Sequence, residues 1–300
     1  MNKYVSFCRE ENLRPFPLHE GNVIIFVTSL ATAASYSAIN IYLAGIKFVA
    51  KRHGFNSDFS KFNRLYLVIR GIKRAQGDQF KKAKRAPVTP NVLMVARCRL
   101  FNSSRNFGDK VMIWAAMLCA YFVFLRVSEY TADYVKSYDE YSTLCFSDLK
   151  TYGTGYILHI KVSKTDPFRV GSKIRFAPNN SILCPVTALR EYIAYHPSRT
   201  GPLFAFQDRS YLTRSRWTRI LHSVMSAATG VTYSSHSFRI GAATTAAARG
   251  YPRWLIQSLG RWSSDCFRDY IRVPDSTIQQ VSKEIIHQPV ADTCFDPDLA

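Results

Sequence analysis

Fifteen consecutive apolar residues, Val111 to Leu125 (VMIWAAMLCAYFVFL), run without a polar interruption and end on Arg126. A helix that is apolar on every side has no face to give to water, so it belongs at the centre of a domain with other elements packed around it. The run is too short to span a bilayer, which takes about 20 residues. A charge directly after such a run is costly unless paired, and Glu129, one turn on in FLRVSEY, offers a partner. At 300 residues the chain suits two domains, because single cores stop growing at about 250–300 residues.

Apolar residues make up 47% and charged ones 20%, which excludes a disordered basic tail. Lys and Arg number 40 against 21 Asp and Glu, a formal net charge of +19. A folded chain this basic is built to meet a polyanion, and no small-molecule substrate needs so much charge. The polyanion is nucleic acid rather than a membrane surface, because no helix combines a strongly basic face with a large apolar one. The start, MNKYVSFCREENLRPF, lacks the apolar centre of a signal peptide. Seven scattered cysteines with no CxxC pair predict reduced thiols inside a cell, with no zinc site and no disulfide framework.

The first third reads as helical. From Ser37 to Ala50, Ile39, Tyr42, Leu43, Ile46 and Val49 recur at helical spacing, with Lys47 and Lys51 on the other side. A second amphipathic stretch groups Phe62, Leu65, Ile69 and Ile72. The basic, proline-broken KKAKRAPVTP (81–90) then reads as a linker, whose Lys81, Lys82, Lys84 and Arg85 are candidate DNA contacts along with Lys47 and Lys51. A buried helix is expected from Val111 to Tyr130, and a small antiparallel sheet within 143–177, where alternating apolar residues are punctuated by Gly153, Gly155, Pro167 and Gly171. Helices are expected again over Pro185–Tyr195, Thr213–Ala227 and HSFRIGAATTAAARG, with Gly250 as a stop and Pro252 opening the next helix. One more amphipathic helix is expected over Asp275–Ile286. The fold class is therefore mainly α with a small antiparallel β-sheet, an α+β chain.

Charge partition narrows the chemistry. Between Asp208 and Asp265 no carboxylate occurs, while Arg209, Arg214, Arg216, Arg219, Arg239, Arg249, Arg253 and Arg261 all do. Arginine's planar fork matches phosphate oxygens, which makes Arg214 and Arg216 further candidate DNA contacts. Two-metal phosphodiester cleavage needs converging carboxylates, which this half cannot easily supply. Cleavage without metal or other cofactor requires fixed cations around the phosphate, a side-chain nucleophile and an acid for the leaving oxygen. Arg126, Lys164 of SKTDPFRVG, His236 and Arg239 of HSFR, and Tyr270 of GRWSSDCFRDYIR supply those types. Taken singly each has an ordinary structural reading: a buried Arg126–Glu129 ion pair, a solvated turn lysine, a helix-start HxxR, one of 17 tyrosines.

Taken in this order, RxSE, a hairpin lysine, HxxR, then a Gly–Arg–Trp and a tyrosine, the chain resembles the tyrosine recombinase (phage integrase) family. SSHSFRIGAATTAAARGYPRWLIQSLGRWSSDCFRDYIR is most similar to the eukaryotic mobile-element members, the DIRS-type retrotransposon and Crypton-type recombinases. The resemblance implies a helical core-binding domain over 1–85, a basic linker to about 90, and a catalytic domain over 86–300. It implies that Arg126 and Arg239 clamp the scissile phosphate, Tyr270 attacks it to leave a 3′-phosphotyrosine, Lys164 protonates the 5′-oxygen, and His236 assists with the tyrosine proton. Glu129 would buttress Arg126. Where the family usually has His or Trp directly after the glycine, Arg261 follows Gly260 and Trp262 comes next. Trp262 is assigned the family's role, core packing being its other reading, and Arg261 is an extra phosphate contact. Asp269, beside Tyr270, has no place in this scheme unless it points away.

The resemblance further implies double-stranded DNA as partner, a homotetramer on two duplexes with STIQQVSKEII docking between protomers, and a nuclear location served by KKAKR. Two functional readings stay open, an active site-specific recombinase for a mobile element and a domesticated DNA-binding protein that no longer cuts.

Overall fold

The computed structural model describes residues 2–80, 84–163, 166, 168–273 and 278–279. The chain divides into two compact units, Met1–Lys84 and Arg85–Ala300.

The first unit is helical: α1 (Asn2–Glu10), α2 (Glu20–Leu30), α3 (Tyr36–Arg52) and α4 (Asn63–Gln76). The Ser35 hydroxyl caps α3 by accepting the Ala38 N–H at 3.2 Å. Ile39, Leu43 and Ile46 of α3 and Leu65, Ile69 and Ile72 of α4 meet Tyr4, Cys8, Val23, Phe26 and Val27 in one core. Buried Gln76 ties the unit together, accepting the Tyr36 N–H at 2.7 Å and donating to the Ala31 and Ala34 carbonyls at 2.8 Å each. Lys47 and Lys51 are exposed, and the Lys47 ammonium lies 4.5 Å over the Phe59 ring.

The second unit is built around α6 (Phe107–Phe122), in which every residue from Val111 to Tyr121 is buried. α5 (Pro90–Phe101) precedes it, and a short α7 (Val127–Tyr130) follows it. Strands β1 (Leu149–Tyr152), β2 (Gly155–Ile160) and β3 (Ser172–Phe176) pair antiparallel in sequence order, with Leu158 of β2 opposite Leu149 and Ile174. Leu158 is fully buried, so one face of the sheet closes on the core. Helices α8 (Pro185–Tyr195), α9 (Arg214–Leu221), α10 (Ala227–Thr229), α11 (Ser235–Ala248) and α12 (Arg253–Gly260) complete the unit. A π-helical turn over His222–Ser226 joins α9 to α10, and a 3₁₀ turn, Asp265–Tyr270, follows α12.

The helix expected to run from Val111 to Tyr130 is broken. It stops at Phe122, Phe124 takes a left-handed φ of 52°, and Arg126 is extended before α7 begins. A buried break leaves backbone groups without helical partners. Here side chains satisfy them: the Glu129 carboxylate accepts the Arg126 N–H at 2.7 Å, and Arg239 and Arg261 donate to the Phe124 carbonyl. The apolar run specifies burial, but the backbone path depends on these distant partners.

Two smaller expectations shift. Pro252 caps α12 from outside rather than opening it, while Gly250 does take a left-handed φ of 76°. Residues 85–90, read as the end of a linker, belong to the second unit. Val88 is fully buried and donates its N–H to the Ser237 carbonyl at 2.9 Å. Gly241 permits that approach, since a Cβ there would lie 1.8 Å from the Val88 oxygen. Lys81 and Lys82, and all of the expected Asp275–Ile286 helix except Ile278 and Gln279, lie outside the described residues.

Candidate active site

The break after α6 sets the site's geometry. Freed from the helix, the carbonyl of Phe124 receives Nη1 of Arg239, whose Nη2 donates to the Gly260 carbonyl at 2.8 Å. Arg239 is therefore 2% exposed yet partnered by main-chain oxygens. Burial above all, then the guanidiniums of Arg126 and Arg261, lower its affinity for its proton, against the pull of Glu129 and Tyr270.

Glu129 is the anion that makes this cluster tolerable. It is 2% exposed and serves two guanidiniums: Oε1 accepts Arg126 Nη1 at 3.2 Å, and Oε2 accepts Arg261 Nη2 at 2.6 Å. Arg126 also donates to the Arg261 carbonyl at 3.2 Å. The sequence makes Arg261 a supporting residue and an extra phosphate contact. Its left-handed backbone (φ 53°, ψ 46°) at the end of α12 turns the side chain inward onto Glu129 and the Val123 and Phe124 carbonyls. Arg261 supports the site from beneath.

Trp262, 7% exposed, lies against Gly260, where a Cβ would stand 1.7 Å from the indole. Its ring is 4.7 Å from the Arg239 guanidinium carbon and 4.8 Å from the Tyr270 ring. The indole thus packs in the core and lies against both the Arg239 guanidinium and the Tyr270 ring. Tyr270 also meets His236, with ring centroids 4.6 Å apart. Arg126, His236, Arg239 and Tyr270 line one cleft of about 440 Å³ with Arg85, Arg214, Ser128, Thr218, Ser234 and Ser235. Among the described residues no Asp or Glu lines it. Among the described residues no group of three or more His, Cys, Asp or Glu side chains is placed to hold a metal ion.

The remaining sequence candidates divide. Arg85 and Arg214 reach the cleft, Arg85 because the 85–88 segment is tied to α11. Arg216 turns away, its guanidinium 4.9 Å from the Phe206 ring and bonded to the Ser210 hydroxyl. Lys84 is exposed. Lys164 lies outside the described residues, and Lys161, three residues before it, is held by Asp148 at 2.8 Å. Asp269 is exposed, unlike half-buried Tyr270 beside it. Sequence reasoning passed over Arg272, whose charge acts on His236, and Thr244, whose hydroxyl bonds to the Tyr270 main chain. Only the motif's own YIR ending signalled Arg272, and nothing signalled Thr244.

Burial, with the charges of Arg85, Arg239, Arg272 and Arg126, pushes the His236 imidazole down to about 4. It is neutral at physiological pH. An unfolded histidine takes a proton below about 6.5 and the folded one only below about 4. Between those values the unfolded chain holds the extra proton, so stability falls as the pH drops through the window. Urea unfolding from neutral pH down to about 4 is expected to show His236→Gln losing less stability than wild type across it. Equal pH slopes would contradict the burial of a neutral imidazole.

No protein-family model matches the sequence, and no curated protein matches it. Solved structures do resemble it. A fragment of the Tn1549 transposon integrase, in complex with circular intermediate DNA, is 15% identical with a TM-score of 0.55, over 90% of this chain and 86% of that one. A lambda integrase dimer bound to a COC′ core site is 15% identical with a TM-score of 0.54, over 90% and 71%. The XerH site-specific recombinase, in a post-cleavage complex with a palindromic difH substrate, is 14% identical with a TM-score of 0.54, over 90% and 71%. Mainly helical, with one small antiparallel sheet, the chain has the fold of the tyrosine recombinases.

Proposed function

We propose that this chain is a DNA strand transferase that cleaves and rejoins duplex DNA through Tyr270 without a metal or other cofactor. The observation that carries this reading is the convergence of Arg126, Arg239, His236 and Tyr270 on one carboxylate-free cleft, with Trp262 against the tyrosine ring.

The scissile phosphate binds between Arg126 and Arg239, whose side chains are already fixed by Glu129 and by main-chain carbonyls. Preorganised donors of this kind stabilise the charge that gathers on the non-bridging oxygens without reorganising during the reaction. Tyr270 Oη attacks phosphorus, the P–O5′ bond breaks, and the 3′-phosphate remains esterified to the tyrosine. The phenol's proton passes toward neutral His236, and Lys164 returns one to the departing 5′-oxygen. Rejoining is the same exchange in reverse, and it needs no ATP because the phosphotyrosine conserves the diester.

The unit Met1–Lys84 serves as the helical DNA-binding domain, gripping the duplex through Lys47 and Lys51, with Lys81, Lys82 and Lys84 as further DNA contacts. The working assembly is a homotetramer on two duplexes. The Gly–Arg–Trp order before the tyrosine supports a place among the eukaryotic mobile-element recombinases, and with it integration or excision of an element in the nucleus.

The test is capture on a nicked duplex, whose released strand cannot return. An SDS-resistant protein–DNA adduct is expected, in equal amount with and without chelator. Retarded DNA with no adduct on any target site would favour the non-cutting reading, and adduct that vanishes with chelator would contradict the cofactor-free chemistry.

A further inference from the structure

Thr244 lies on α11, eight residues beyond His236 and five beyond Arg239. Its hydroxyl makes two bonds to one stretch of main chain, donating to the Tyr270 carbonyl at 3.2 Å and accepting the Arg272 N–H at 3.1 Å. A hydroxyl is the smallest side-chain group that both donates and accepts, so one threonine satisfies the peptide groups on both sides of Ile271. Those groups need partners, because the 3₁₀ turn ends at Tyr270 and Ile271 is extended.

The approach to Tyr270 is fixed as well. Phe267, three residues earlier, is 1% exposed and packs on Trp262 with ring centroids 6.2 Å apart. Tyr270 is thus held by a buried ring before it and a hydroxyl staple after it, while its own ring lies between His236 and Trp262. The staple springs from the helix that carries His236 and Arg239.

We infer that Thr244 is a positioning residue for the nucleophile, tying the main chain of Tyr270 to the helix that binds the phosphate. This rests on Tyr270 being the nucleophile. Attack requires oxygen and phosphorus in line and close together, and misplacement by about 1 Å costs on the order of a hundredfold. A tyrosine freed at its C-terminal side keeps its ring contacts but samples more positions.

Thr244→Val keeps the shape and removes the hydroxyl, whereas Thr244→Ser keeps the hydroxyl. At saturating nicked duplex, the valine variant is expected to form adduct about tenfold or more slowly, with DNA affinity unchanged. The serine variant should return to within about threefold of wild type. Amide exchange of the segment containing Arg272 should quicken in the valine variant and not in the serine one. A purely structural threonine would not divide the two variants in this way at equal thermal stability. Wild-type cleavage by Thr244→Val, failure of serine to rescue, or unchanged exchange would each overturn the role of Thr244 while leaving Tyr270 as nucleophile. No adduct from the wild-type chain would remove the nucleophile assignment and the role of Thr244 with it.

Discussion

Replacing Tyr270 with phenylalanine is expected to abolish covalent capture of DNA while leaving the fold and DNA binding almost intact. The ring's neighbours, His236 at 4.6 Å and Trp262 at 4.8 Å between centroids, meet carbon atoms that phenylalanine retains. The Thr244 hydroxyl bonds only main-chain groups here, the Tyr270 carbonyl and the Arg272 N–H, so both bonds survive as well. What disappears is the oxygen that the proposed reaction uses to attack. Affinity should change by no more than about fivefold, the worth of one hydroxyl hydrogen bond at about 1 kcal/mol. Adduct formation by the phenylalanine variant, read on a denaturing gel, would show that another side chain is the nucleophile.

The largest effect on stability is expected from Glu129→Ala. One carboxylate, 2% exposed, accepts the Arg126 main-chain N–H and holds Arg126 and Arg261, whose side chains are 16% and 10% exposed. Removing one partner of a buried ionic cluster costs about 3–5 kcal/mol, since the charges left behind remain desolvated. Here two guanidiniums lose their carboxylate beside a third, Arg239, and the N-terminus of α7 loses its cap. Urea unfolding should register a loss of that size. A loss below about 1 kcal/mol would mean that water already reaches the cluster and that Arg126 is not held from beneath.

Much of this architecture is legible in the residues themselves. Helix α8 spans Pro185–Tyr195 as its proline start and apolar spacing indicate, and α3 and α4 bury the faces that their periodicity selects. The Arg126–Glu129 pair follows from the cost of a charge after an apolar run. HxxR spacing puts His236 and Arg239 on one side of α11, and both line the same cleft. These are local consequences of spacing.

What escaped the sequence depends on partners far along the chain. Nothing within Val111–Tyr130 announces a break at residue 123, because the groups that satisfy the freed carbonyls are Arg239 and Arg261, more than 110 residues away. Arg261 reads as another phosphate ligand until its left-handed backbone turns it onto Glu129, and arginine is not a residue type that advertises that conformation. Arg85 reads as a linker cation, yet the close fit of Val88 against Gly241 brings it to the cleft. Thr244 is one of two threonines in an alanine-rich helix, and its importance lies entirely in what packs against it.

In the proposed reaction DNA becomes joined to Tyr270 through a 3′-phosphate. Mass spectrometry of the protease-digested, nuclease-trimmed adduct tests it most directly. The expected species is a nucleotide esterified through its 3′-phosphate to the peptide bearing Tyr270, with fragmentation placing the mass on that tyrosine. A 5′-linked nucleotide, or one carried by any other residue, would contradict it.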